Sequence, residues 1–215
     1  MKKEKARKIG IMGGTFDPIH NAHLMLGRQA LKEYHLDEIW FMPSHNPPHK
    51  TDHRVTGTKD RCEMVKLAIA GEPRFRFSDF EISRAGNTYT AQTLKLLKEA
   101  YPKHTFFFIV GADSLYHIES WYHPEEVMRQ VTILAAGREC EDAPCTLEEQ
   151  AAYLIKKYRA AIFLLHSAAM HISSQELRER QSNGTGIHDL VPDSVERYIR
   201  EHGLYQHPDR RKDTL

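Results

Sequence analysis

Two histidines three residues apart, His20 and His23, follow a glycine pair in the stretch Gly13-Gly14-Thr15-Phe16-Asp17-Pro18-Ile19-His20-Asn21-Ala22-His23. If a helix has begun by His20, both imidazoles lie on one face near its positive end. Glycines directly after a strand permit positive φ and let a ligand approach the backbone closely. Free N–H groups at the helix start favour an anion. The stretch is neither a G-x-x-x-x-G-K-[ST] loop nor a G-x-G-x-x-G turn, the two common phosphate cradles. A tight turn bearing two surface histidines would use the same residues, so the local pattern alone leaves both roles open.

Other residues of the same chemical kind recur along the chain. Lys50 follows Pro47 and Pro48, which stiffen its loop and make it a fixed cation. Ser173 or Ser174 can cap a helix on which Arg178 sits one turn later, again suited to an anion. Asp113, just after Gly111, is placed either to accept from ribose hydroxyls or to cap a helix. The Trp121 indole can stack on a flat heteroaromatic ring or simply pack. His45, His49 and His53 recur every fourth residue, a metal-binding spacing on a helix, but Pro47 and Pro48 forbid that helix. No metal site is expected from the protein's own side chains.

The elements that must position these groups follow from the apolar pattern. Short β-type runs occur at 8–12, 38–42, 75–80, 105–110, 131–136 and 160–165. Helical periodicity fills 24–34, 58–71, 90–101, 124–130, 147–158, 173–181 and 192–202. Such alternation predicts an α/β fold: an open, Rossmann-like parallel sheet with helices on both faces and a helical C-terminal segment. The continuous run Thr105–Val110 suits a strand buried on both faces. One domain over residues 1–205 is expected, with a polar, frayed tail at 206–215. In such a sheet ligands bind beyond the carboxyl ends of the strands, and every cluster named above falls in a loop that follows a strand.

Composition narrows the function classes. The 215 residues carry 30 Lys+Arg against 29 Asp+Glu, a formal charge of +1, which disfavours nucleic acid or a polybasic membrane contact as partner. No apolar run approaches the ~18–20 residues of a membrane span. The basic start is followed by Asp17, Pro18 and His20, which interrupt any signal-peptide h-region. Three cysteines without a C-x-x-C pattern fit free thiols in the reducing cytoplasm.

Taken whole, the first loop resembles the G-x-F-D-P-x-H-x-G-H signature of the nucleotidyltransferase superfamily, with Ala22 where the signature has Gly. Residues 43–50 resemble the P-x-x-x-P-P-H-[KR] segment of the bacterial nicotinate-nucleotide adenylyltransferase family. Thr88-Tyr89-Thr90 is similar to its [ST]-Y-T segment, and Gly111-x-Asp113-Ser114 with Trp121-Tyr122 to its G-x-D…W-Y run. Ile172-Ser173-Ser174 with Arg178 resembles I-S-S-T-x-x-R, with Gln175 where the usual Thr stands. Arg138 matches a family arginine, although Gly137-Arg138-Glu139-Cys140 departs from the usual R-P-G.

The resemblance runs from about Gly10 to Tyr205. It implies adenylyl transfer from ATP to nicotinate mononucleotide, giving deamido-NAD and pyrophosphate. His20, His23, Lys50 and Arg178 would be the catalytic residues. Gly13, Gly14, Thr15, Phe16, Gly111, Asp113, Ile172, Ser173 and Ser174 would bind ATP, and Thr88, Tyr89, Trp121 and Arg138 the mononucleotide. Mg²⁺ would accompany ATP. The rivals are an adenylyltransferase that takes pantetheine phosphate and a nucleotide sensor without turnover. The first is disfavoured by the T-Y-T and Trp121 segments, the second by the intact histidine pair with Arg178. A homo-oligomer and the strength of the nicotinate preference are left open.

Overall fold

The computed structural model describes residues 5–45, 55–84, 86, 88–136, 145–166 and 172–206. Six strands alternate with helices: β1 (Lys8–Gly14), α1 (Asn21–Glu33), β2 (Glu38–Pro43), α2 (Thr58–Ile69), β3 (Phe75–Phe77), α3 (Thr90–Ala100) and β4 (Thr105–Gly111). Then come α4 (Ala112–Tyr116), α5 (Pro124–Gln130), β5 (Thr132–Ala136), α6 (Leu147–Tyr158), β6 (Ala161–Leu165), α7 (Ser174–Asn183) and α8 (Asp193–Glu201). All neighbouring strands pair in parallel, in the order β3-β2-β1-β4-β5-β6. This is the doubly wound Rossmann order expected from the alternation.

The central strands are buried on both faces, and alternate side chains feed two cores. Ile9, Ile11, Phe106, Phe108 and Val110 pack with Leu94 and Leu97 of α3, Leu115 of α4, Val127 of α5 and Leu154 of α6. On the opposite face Met12, Ile39, Phe41 and Ile109 pack with residues of α1, α2, α7 and α8. The chain lays β2 and β3 to one side of β1, then returns and lays β4, β5 and β6 to the other. The connections after β1 and β4 therefore diverge, and a crevice opens at their carboxyl ends.

Local chemistry sets several boundaries. The Thr146 Oγ1 accepts from the Glu149 N–H at 3.2 Å while the Thr146 N–H donates to the Glu149 carboxylate at 2.9 Å, a reciprocal cap that starts α6. Pro124 opens α5. Gly184, at φ 75, ends α7.

Two expectations need correction. A strand over 75–80 is expected from alternation, but β3 stops at Phe77. The Ser78 N–H still bonds to the Phe41 carbonyl at 2.9 Å. The next rung would need an N–H from Pro43, which has none. The short helix α4 goes unread because five residues are too few to show periodicity. No helix among the described residues is long and apolar enough to cross a membrane. Of the tail expected at 206–215, all but Gln206 lies outside the described residues.

Gly27 lets α1 lie close on the sheet. A Cβ at Gly27 would sit 2.9 Å from Phe75 Cζ and 3.4 Å from Phe41 Cζ, both in buried rings. Gly27→Val is therefore expected to destabilise the protein by about 1–3 kcal/mol through overpacking. Thermal unfolding checks it; an unchanged Tm would mean that the rings yield freely.

Candidate active site

A cleft of about 990 Å³ opens at the carboxyl ends of β1 and β4. One wall is the loop after β1 with the first turn of α1: Gly13, Gly14, Thr15, His20 and His23 all face the cleft. A second is Gly111 and Asp113 at the exit of β4. The start of α7 brings Ile172, Ser173, Ser174 and Arg178, and the far side is Thr88, Tyr89 and Trp121. The structure thus gathers residues from positions 13 to 178 around one hollow.

The imidazole pair is built by the start of α1. His20 is extended, at φ −146 and ψ 171, directly before the helix, and is 6% exposed. The His20 and His23 rings lie with centroids 3.7 Å apart, tilted by 32°. The His20 backbone N–H donates to His23 Nδ1 at 3.3 Å. That bond makes Nδ1 of His23 an acceptor and leaves its proton on Nε2 as a donor. Phe16, expected to touch nucleotide, is not on the cleft wall. It is buried behind it, with its ring 5.1 Å from His23, edge on, and 6.1 Å from Phe41. Phe16 backs the His23 imidazole, and its φ of 50 turns the chain there.

The start of α7 is pinned to the same loop. The Ser173 Oγ accepts from the Glu176 N–H at 3.1 Å, so Ser173 is the cap. The Ser174 hydroxyl donates to the Pro18 carbonyl at 2.9 Å, and Arg178 Nη1 donates to the Asp17 carbonyl at 2.8 Å. The first-turn end of α7, with its positive dipole, and the Arg178 guanidinium thus share the cleft with the two imidazoles.

At the exit of β4, Gly111 holds the capping position of α4 and Asp113 lies within the first turn, so Asp113 is not the cap. A Cβ at Gly111 would meet nothing within 4 Å, which leaves the backbone open to a ligand. Trp121 packs its edge on Phe108, with centroids 6.1 Å apart at 82°, while facing the cleft. The Tyr89 and Tyr122 rings lie with centroids 4.4 Å apart, tilted by 32°. Lys50 and Arg138, together with His49 and His53, lie outside the described residues.

Two charged residues escaped the sequence reading. Arg61 of α2 is 1% exposed and donates to the carbonyls of Thr15 at 2.7 Å, Ser44 at 2.9 Å, Thr56 at 3.0 Å and His45 at 3.2 Å. It ties the loops after β1 and β2 together. Burial lowers its pKa, and the nearby Asp17 carboxylate opposes that shift. Its signal was its position, one turn before Val65 and two before Ala68 on the apolar stripe of α2. Glu81 stands on the cleft wall, accepting from the hydroxyls of Thr93 at 2.8 Å and Thr88 at 3.4 Å. Burial raises its pKa, while Thr93, Arg84 and Thr88 act the other way. Nothing in the local pattern marks Glu81, because its partners lie seven and twelve residues ahead.

The Rossmann-ordered sheet, with paired imidazoles at the exit of its first strand, is an architecture suited to nucleotides. A cytidylyltransferase-like family model matches residues 11–180. A Lachnoclostridium phytofermentans protein, "Probable nicotinate-nucleotide adenylyltransferase", is 45% identical over 93% of this chain and 99% of its own. A Bacillus pumilus protein of the same name is 36% identical over the same shares. A structure of Plasmodium falciparum nicotinic acid mononucleotide adenylyltransferase complexed with NaAD superposes with a TM-score of 0.76 at 25% identity, covering 93% of this chain and 97% of that one. The chain belongs to the nicotinate-nucleotide adenylyltransferase family.

The raised pKa of Glu81 carries a stability consequence. A proton held more tightly in the folded state contributes stability that is fully present below the ordinary value of 4.5 and is lost as pH rises through the folded-state value. Glu81→Gln should therefore gain in Tm relative to wild type as pH rises from 4 to 8. Parallel thermal unfolding across that range checks it; a difference independent of pH would contradict the burial cost.

Proposed function

We propose that the cleft carries out adenylyl transfer from ATP to nicotinate mononucleotide by direct in-line displacement. A phosphate oxygen of the mononucleotide bonds to the α-phosphorus of ATP. The bond from that phosphorus to the oxygen bridging to the β-phosphorus breaks, and pyrophosphate leaves with the electron pair. The products are deamido-NAD and pyrophosphate.

The attacking phosphate is already an anion at neutral pH, so the reaction needs no protein nucleophile and no strong base. What it needs is alignment of two phosphates and donors where charge accumulates. The observation that carries the reading is the close, tilted imidazole pair at the start of α1, sharing one hollow with Arg178 and the start of α7. His20 and His23 are assigned to the α-phosphate and the leaving group, with Lys50 and Arg178 on the polyphosphate. The backbone of Gly13, Gly14 and Thr15 and the α7 start at Ser173 and Ser174 cradle the phosphates. Asp113 beside Gly111 takes the ribose hydroxyls, and Ile172 packs along the nucleotide. Thr88, Tyr89, Trp121 and Arg138 hold the acceptor, with the Trp121 indole on its ring.

Mg²⁺ enters this reading with the nucleotide. The carboxylates on the wall, Asp113, Glu81 and Glu179, form no metal-spaced cluster among the described residues, whose cluster at His188, Asp193 and Glu196 does not line the cleft. The ion would be held mostly by phosphate oxygens and water, and when bound it neutralises triphosphate charge. Residues 1–205 serve as one domain. The free thiols of Cys62 and Cys145 fit a cytoplasmic setting.

Pyrophosphate release tests the proposal directly. Wild type should release it from ATP with nicotinate mononucleotide, and not with phosphopantetheine. His20→Ala and His23→Ala should each lower kcat by roughly a hundredfold or more, as expected for a lost transition-state donor. Wild-type turnover in folded variants would remove the histidines from the mechanism.

A further inference from the structure

Asp17 sits in the turn between the glycines and the histidines, and it is 1% exposed. Its carboxylate accepts from the Tyr205 hydroxyl at 2.6 Å and from the Thr56 N–H at 3.3 Å. Its carbonyl accepts from Arg178. Tyr205 lies 188 residues further along, beyond the end of α8. We propose that Tyr205 is a positioning residue for adenylyl transfer: its hydroxyl fixes Asp17, and through Asp17 it sets both Arg178 and the turn that presents His20. The inference rests on the reading of this cleft as the site of adenylyl transfer.

The backbone around Tyr205 is arranged to deliver that hydroxyl. After α8 the Leu204 N–H closes back on the Ile199 carbonyl at 3.0 Å, with Gly203 at φ 56. Tyr205 itself adopts φ 62, a left-handed conformation that is strained for a bulky residue and held only where its surroundings require it. Its ring packs against the core on the α1, α2 and α8 face. The hydroxyl is a dependable donor, because burial and the adjacent Asp17 carboxylate push its pKa far above the usual phenol range.

One hydrogen bond at this place reaches two cleft groups. Arg178 is coupled through the Asp17 carbonyl, and His20 follows Asp17 by only Pro18 and Ile19. Displacements of about 1 Å at groups that align reacting atoms can cost two decades in rate. Loss of a single hydroxyl is therefore expected to appear in the chemical step before it appears in substrate affinity.

Tyr205→Phe keeps the ring and removes the donor. With wild type as reference, kcat for pyrophosphate release should fall about tenfold, in proportion to one lost hydrogen bond to a charged group. KM for ATP and for the mononucleotide should stay within about twofold, because the substrate contacts remain. Tyr205→Leu, which also removes ring packing, should lose kcat to the same extent and show a lower Tm. In a double-mutant cycle with Arg178→Lys, the two losses should be non-additive, as for groups acting through a shared partner.

Wild-type kcat in Tyr205→Phe with a loss confined to Tyr205→Leu would make Tyr205 a packing residue and overturn the inference. Additive losses in the cycle would overturn it as well. Either result leaves adenylyl transfer standing. Absence of turnover in wild type would overturn the function and this inference together.

Discussion

Two imidazoles rest against each other at the first turn of a helix, and the rest of the site is organised to hold them there. His20 is extended before α1 and His23 is inside it, so the helix start fixes the spacing of the rings. The Phe16 ring backs His23 from behind, and the His20 N–H selects the His23 tautomer. Left to solvent, two such side chains would sample many rotamers and diverge. In the proposed reaction their fixed arrangement would supply donors that need not reorganise when charge develops on a phosphate.

The fold makes that arrangement available at the switch point of the sheet. Parallel strands send every following loop to the same edge of the sheet, and among the described strands the order reverses between β1 and β4, where the connections diverge to leave a crevice. There the loop after β1 is tied down on several sides. Arg61 holds Thr15 from α2, Ser174 and Arg178 hold Pro18 and Asp17 from α7, and Tyr205 holds the Asp17 carboxylate. The Asn21 N–H also bonds to the Leu190 carbonyl at 2.9 Å. Segments distant in sequence therefore converge on residues 15–21, and the hydrogen-bond donors left facing the hollow, with the Arg178 guanidinium, suit a polyphosphate.

Much of this was legible in the sequence, and the exceptions share a physical cause. Apolar runs and helical stripes identify strands and helices because burial on two faces or one leaves a period in the sequence, as at Thr105–Val110. His20, Asp113 and Arg178 stand in loops or early helical turns that follow strands, so topology alone brings them together. Side-chain direction is a different matter. Phe16 occupies a loop among cleft-facing residues yet turns inward, at a backbone φ of 50. Arg61, Glu81 and Tyr205 act through partners that only the folded chain brings near. An arginine in an apolar stripe was a readable anomaly, whereas a tyrosine beyond the last helix carried no local sign of Asp17. The end of β3 was set by Pro43 of its neighbour, a constraint that belongs to pairing and not to the run itself.

The central claim is that the paired imidazoles of His20 and His23 grip a polyphosphate. Nitrogen-15 NMR of the imidazole rings, titrated with a non-hydrolysable ATP analogue, tests it most directly. The resonances of His20 and His23 should move together and saturate with the analogue, while His188, exposed and paired with Glu196 outside the cleft, keeps its position. Unmoved His20 and His23 resonances at saturating analogue would contradict the account.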